Sequence, residues 1–295
     1  MPIPRADFDV TETLVRELLK EQHPDLASLP IQFYKNGWDN FLFRLGHELI
    51  VRLPRREASA ESIRKEQRYL PTLAPQLPLL VPSPIRVGEP GCDFPWYWSI
   101  CPCLSGATAD AAAPADNAVK QWAQFLKALH VAGPKGGPHN PYRGVPLITR
   151  ADAFMESLHR VAQRQLVNFS AIDRLWQQGL DADPGFIPCW GHGDLHPMNI
   201  LCSKGKFIGV IDWGDMYVGD PATDLASFFM LFAREIAELS LRDDYHADAA
   251  QISRAKASAV FFAVVLLDSG VDVNQQQVAI AHKTFLNLGL ANSTI

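Results

Sequence analysis

The feature that most limits how this chain can fold is a change of hydrophobic period along its length. In the first hundred residues the apolar pattern comes in short branched or aromatic runs, Ile31–Tyr34, Asn40–Leu45 and Glu48–Leu53, separated by Asn36-Gly37 and Gly46-His47. Runs of this length bounded by turn residues predict antiparallel strands. Before them, Val10, Leu14, Leu18 and Leu19 repeat at helical spacing, so Val10–Gln22 is a predicted helix with Asp9 and Thr11 as cap candidates. A charged surface helix is predicted over Ala58–Leu73, and the proline-studded Pro75–Pro84 leads to strands at Pro84–Val87 and Trp96–Cys101. From Ala115 the period turns helical, over Asn117–His130, Ala151–Leu166, Ala171–Gln178 (with Gly179 as the stop) and nearly all of Thr223–Leu290. Two apolar runs, Ile200–Cys202 and Phe207–Ile211, are embedded in that half. The pattern predicts an α+β chain: a small antiparallel-sheet N-terminal lobe, residues 1–103, and a larger, mainly helical C-terminal lobe, residues 104–295.

Composition narrows the partners. The chain has 295 residues, enough for two lobes with substantial cores, and 47% hydrophobic with 20% charged residues is ordinary for a globular protein. A net charge of -5 argues against nucleic acid, whose phosphates recruit basic surfaces. The five cysteines, Cys92, Cys101, Cys103, Cys189 and Cys202, are odd in number and lack CxxC spacing. With no basic-then-apolar leader at Met1–Val10, a reducing cytoplasm is the expected home. The longest apolar run, Ala259–Leu267, has nine residues against the roughly 20 of a membrane-spanning helix, so no membrane is expected.

The chemistry concentrates in WGHGDLHPMNI, Trp190–Ile200. Two glycines and a proline exclude a regular element, so the stretch is a shaped loop. Its spacing is His-x-Asp-x-x-x-x-Asn, and Asp212 follows thirteen residues after Asn199, at the end of the strand-like Phe207–Ile211. Phosphoryl transfer from a nucleotide needs a carboxylate at the acceptor hydroxyl and oxygen ligands that hold Mg²⁺ against the phosphates. Asp194, Asn199 and Asp212 meet that order. Two other readings compete. His192, Asp194 and His196 could hold a transition metal for hydrolysis, which would leave Asn199 and Asp212 without a task. The loop could also be polar turn chemistry alone.

The segments HGDLHPMNIL and VIDWGDMYVGDPATDLA, from His192 to Ala226, resemble the aminoglycoside/macrolide phosphotransferase family of small-molecule kinases, with weaker similarity from about Phe33 onward. The resemblance implies a protein-kinase-like bilobal fold, ATP or GTP as donor, Mg²⁺, and transfer of the γ-phosphate to a hydroxyl of a small molecule. It implies Asp194 as the catalytic carboxylate and Asn199 and Asp212 as metal ligands. In the N-terminal lobe, Gly37 and Asn40 lie in the turn where kinases place a phosphate-covering loop, since Gly lets amides approach phosphate. Arg52 stands at the strand position of the phosphate-binding cation, where protein kinases use Lys. Glu66 is its expected helical partner, with Glu61 as the fallback. The base is expected between the lobes, against Trp96–Cys101 and the connector Pro102–Gly106, on backbone groups at Cys101 and Cys103.

The remaining conspicuous residues take supporting roles. His130 ends a predicted helix and suits its dipole. Asp220 and Asp224 are expected to cap the following helix, and by the resemblance Asp220 also braces the loop through His192. Phe228–Phe232 is core. His196 either faces substrate or braces the loop, and Asp215 faces an acceptor ammonium or accepts turn amides. Over Asp181–Ala250 twelve acids stand against four bases, which suits a cationic acceptor. Trp176, Phe186 and Trp190 would suit an apolar ring or macrolide instead. A non-catalytic nucleotide-binding module is the second alternative. These motifs do not encode the acceptor, the choice between ATP and GTP, a link to antibiotic resistance or the oligomeric state.

Overall fold

Thr11 starts the first helix by accepting the Leu14 amide on its Oγ1 at 3.2 Å. This helix, α1 (Glu12–Gln22), turns Val15, Leu18 and Leu19 inward. The computed structural model describes residues 4–183 and 185–290, and the chain divides into two compact units, one ending at Ser105 and the other starting at Gly106.

In the first unit, α1 is followed by β1 (Ile31–Asn36), β2 (Asn40–Leu45), β3 (Leu49–Pro54), α2 (Glu57–Leu73), β4 (Arg86–Gly88) and β5 (Trp98–Pro102). The strands form one sheet in the order β1-β2-β3-β5-β4, every neighbouring pair antiparallel. Phe41, Phe43, Leu45, Val51, Leu53, Trp98 and Ile100 pack with α1 to make the core. Gly88 is required by close approach, because a Cβ there would lie 1.9 Å from the Trp98 ring. Helix α2 was expected as a surface helix. It instead buries Ser59, Ile63, Glu66, Leu70 and Leu73, a stripe at helical spacing hidden in sequence by the charges between.

The second unit runs β6 (Ala107–Thr108), α3 (Val119–Leu129), α4 (Ala151–Gln163), α5 (Phe169–Leu180), β7 (Cys189–Gly191), β8 (Ile200–Ser203), β9 (Lys206–Val210), β10 (Tyr217–Gly219), α6 (Ala222–Leu225), α7 (Ser227–Leu231), α8 (Arg234–Ser240), α9 (Ala249–Gly270) and α10 (Gln275–Asn287). β6, β8 and β9 form one small sheet, and β7 pairs with β10 in another. The helical pattern expected over nearly all of Thr223–Leu290 is present as five helices with a π-helical turn at Leu241–Tyr245.

Helix α9 is the axis of this unit. Asp248 and Gln251 form a capping box at its start, and α4, α5, α6 and α10 pack around it. Its length and mean hydropathy of 1.4 would suit a membrane span, yet 67% of the apolar window is buried inside the fold. Gly179 does not stop α5, which continues to Leu180. A Cβ at Gly179 would sit 2.2 Å from the Ala257 Cβ of α9, so the glycine is there to let two helices touch.

Candidate active site

The loop after β7 is suspended from a buried carboxylate. The His192 and Gly193 amides donate to Asp224 at 2.7 and 2.8 Å, and Asp224, at the start of α6, is fully buried. His130, the residue after α3, approaches the same carboxylate at 3.3 Å and the Tyr245 hydroxyl at 2.8 Å. Asp220, expected to brace the loop, accepts instead from the Ala222 amide (3.0 Å) and Arg254 Nε (2.9 Å). The bracing role lies four residues further on because only Asp224 is carried by the helix to the loop amides. Gly193 is set at φ +92°, and a Cβ there would meet the Asp215 carbonyl oxygen at 2.5 Å.

His192 is a structural member of the loop. Its Nδ1 accepts from the Asp194 amide (3.2 Å), so Nε2 carries the proton and donates to the Ile211 carbonyl (3.0 Å). Burial pushes its pKa down and keeps the ring neutral. Trp213 closes the edge of the ring at 4.7 Å.

Asp194 stands in a cage of donors. Arg143 Nη2 reaches Oδ1 at 3.0 Å, while His196 Nε2 and Asn199 Nδ2 both lie 3.2 Å from Oδ2. Burial alone would raise its pKa, but His196 and Arg143 outweigh burial and hold the carboxyl well below the usual range. In return burial disfavours the His196 imidazolium, and the Asp194 charge and hydrogen bond more than compensate, so its pKa is raised. Arg143 also pairs through Nε with Asp215 (3.1 Å), whose other oxygen accepts from Asn140 (3.1 Å). The cation facing Asp215 is thus one the chain itself supplies.

Asp212 follows β9 with φ 65° and ψ 67°, a left-handed conformation that costs a non-glycine residue about 1–3 kcal/mol. The Ile211 amide donates to the Asn199 carbonyl (2.9 Å), which ties the strand end carrying Asp212 to Asn199. Among the described residues the hydrogen bonds of the Asn199 side chain all run through Nδ2, which leaves Oδ1 able to serve as a ligand atom. A carboxylate and one amide oxygen fit Mg²⁺, which takes few protein oxygens and keeps the rest of its shell for water and phosphate.

In the first unit Arg52 and Glu66 form a buried two-fold ion pair, Nη2 to Oε1 at 2.9 Å and Nη1 to Oε2. Gln67, next on α2, donates to the Trp98 carbonyl and to Ser99 Oγ, fixing the helix on β5. The turn between β1 and β2 is closed by Gly37 N to Asn40 O (2.8 Å) and by Arg55 to Gly37 O (3.2 Å). The Asn40 Oδ1 is buried and unbonded among the described residues. Cys101 pairs with Ile50 across the sheet, and its thiol is pushed up to about 11, chiefly by burial. The Cys103 amide donates to Glu48 O (2.7 Å).

With this geometry in view, the model of the phosphotransferase enzyme family (APH) matches residues 30–259. The chain belongs to that family. It is a phosphotransferase with an alcohol group as acceptor. Protein YcbJ of Bacillus subtilis (strain 168) is 27% identical over 227 residues, 66% of this chain and 67% of YcbJ. The viomycin phosphotransferase of Streptomyces vinaceus is 25% identical over 213 residues, 65% of this chain and 70% of the relative. The GDP and kanamycin complex of APH(2")-IIia shares the fold at a TM-score of 0.70 and 18% identity, covering 92% of this chain and 98% of that one.

Membership disposes of the hydrolase alternative, and the geometry gives the reason. Both ring nitrogens of His192 are committed to the backbone, and among the described residues no three His, Cys, Asp or Glu side chains gather for a metal. Arg143 is the residue in contact with Asp194 that sequence reasoning missed. Its partners lie 51 and 72 residues away, in a Pro/Gly-rich connection with no period to flag it. The one local signal was an isolated arginine directly before Gly144, whose φ is +64° and whose Cβ would strike Tyr217 at 2.1 Å.

Proposed function

We propose that this phosphotransferase is a small-molecule kinase that moves the γ-phosphate of Mg²⁺-bound ATP or GTP to an acceptor hydroxyl at Asp194. The observation that carries the reading is the Asp194 carboxylate held 3.2 Å from Asn199 Nδ2, with Asp212 at the adjoining strand end. Asp194 would accept a hydrogen bond from the hydroxyl and orient it, and its lowered pKa keeps the carboxylate deprotonated at neutral pH. Arg143 and His196 hold that carboxylate in one orientation, while Asn199 Oδ1 and Asp212 offer the oxygens for the metal. When bound, Mg²⁺ supplies charge neutralisation on the phosphates. The Arg52 guanidinium, oriented by Glu66, is the cation for the phosphates, and Gly37 and Asn40 shape the turn over them. The five unpaired cysteines suit a reducing cytoplasm.

The test pairs Asp194→Asn with a panel of hydroxyl compounds, run with ATP and GTP and read by mass shift. Wild type should phosphorylate a member of the panel. Asp194→Asn should lose about 10²–10⁴-fold in kcat, the scale of a general base, with nucleotide affinity retained. A variant as fast as wild type would remove Asp194 from the mechanism.

A further inference from the structure

The second unit holds a cleft of about 320 Å³, open solvent included, whose wall contains Arg143, the residue that bonds Asp194. Tyr142, Arg150, Ser258, Phe261 and Phe262 also line it, and no acidic side chain does. Phe262 lies under Arg143, with the guanidinium carbon 5.0 Å from the ring centre. Arg150 is set between two rings, 5.0 Å from Tyr142 and 5.4 Å from Phe261.

The two arginines differ in what they lack. Arg143 is matched by Asp194 and Asp215. The Arg150 side chain has no ion pair or hydrogen bond among the described residues, and its Nε is buried without a partner. A guanidinium carries five donors in a planar fork that fits carboxylate or phosphate two-fold. Aromatic faces satisfy its charge in part and none of its donors. Burial and the neighbouring Arg143 charge both work against the ionised form of Arg150, and an anion would reverse that. Of the acids between Asp181 and Ala250, Asp194 and Asp215 meet this wall only through Arg143, and none lines the cleft.

We propose that Arg150 is the specificity residue for the acceptor, and that the acceptor bears an oxyanion, a carboxylate or phosphate ester, on an apolar or aromatic body. The oxyanion is taken by the Arg150 fork, the body lies on Phe261 and Phe262, and the hydroxyl reaches Asp194. This rests on the kinase reading of Asp194. It sets the chain apart from an enzyme for amine-rich acceptors, which the unmatched charge of Arg150 would repel.

A charge series on one skeleton tests it. 3-Phenyllactate, its methyl ester and phenylalaninol each carry a hydroxyl and a phenyl ring and are anionic, neutral and cationic; phenyl phosphate replaces the carboxylate by a phosphate ester. Binding to the full chain is measured by calorimetric titration with millimolar probe, independently of turnover. At least one of the two anions should bind about ten- to a hundredfold tighter than ester and amine, the range of a charge-assisted hydrogen bond. Which anion wins tells carboxylate from phosphate. Arg150→Gln should erase the preference and Arg150→Lys should keep most of it, with thermal midpoints confirming that the variants are folded. A preference for the amine, no binding of either anion, or a preference unaltered in Arg150→Gln would overturn the assignment. The hydroxyl panel separates this from failure of the kinase reading. Turnover of cationic acceptors alone, unaffected by Arg150→Gln, overturns the anion site and leaves the kinase standing. Arg150-dependent anion binding without any phosphoryl transfer supports the site and removes the kinase reading.

Discussion

His192 and Asp194, two residues apart, are both pressed toward the neutral form by burial, and only His192 yields. Asp194 has His196 and Arg143 against it and stays ionised. His192 has only backbone groups on its nitrogens and stays neutral. A folded-state pKa below the unfolded value of about 6.5 means that the unfolded chain binds the extra proton first as pH falls. The His192 contribution is therefore complete above about pH 6.5 and is lost progressively as pH drops through that value. We expect the urea midpoint to fall between about pH 7 and pH 5, and to fall less steeply in His192→Gln, whose side chain does not titrate. Equal slopes in the two proteins would mean that another group governs the acid side.

At the scale of elements, two contacts join segments of chain that lie apart in sequence. Arg52 on β3 and Glu66 on α2 are buried at 8% and 1% exposure, so removing either strands the other charge. Loss of one partner of a buried pair costs about 3–5 kcal/mol. Arg52→Ala and Glu66→Ala should each lower stability and weaken productive nucleotide use, Arg52→Ala more so. The double variant should cost less than the sum of the singles. Additive losses in unfolding and in kcat/KM would show that the pair does not act as a unit. The second contact is α5 on α9. Gly179→Ala gains about 1 kcal/mol of helix propensity, but its methyl must displace Ala257, and overpacking of this kind costs about 1–3 kcal/mol. Denaturant unfolding should show net destabilisation; a more stable variant would mean that the helices part easily.

Across the second unit as a whole, one carboxylate joins distant segments. Asp224 links α6 to the loop after β7 and, through His130 and Tyr245, to α3 and the π-helical turn. Asp224→Ala leaves two buried amides without acceptors, at about 1–3 kcal/mol each. We expect a stability loss of about 2–6 kcal/mol with faster hydrogen exchange at His192 and Gly193. Asp224→Asn, which keeps one acceptor oxygen, should lose less. Unaltered exchange at those amides in Asp224→Ala would show that the loop is held by other contacts.

What the sequence determined by itself is the part governed by neighbours in the chain. The Thr11 cap, the strand runs split by Asn36-Gly37 and Gly46-His47, and the His-x-Asp-x-x-x-x-Asn spacing each act within a few residues, so period and turn chemistry reveal them. The division into a sheet-rich and a helical part followed from the same local order, and the kinase-like fold from the resemblance its motifs carry. The tertiary structure alone decided which of Asp220 and Asp224 holds the loop, that Gly179 is a helix contact and not a stop, that Glu66 is buried, and that Arg143 clamps Asp194 while Arg150 is left with aromatic faces. Each of these depends on side chains separated by tens of residues meeting at hydrogen-bond or van der Waals distance. Such meetings are fixed by how helices and strands pack, and no periodicity along the chain records them.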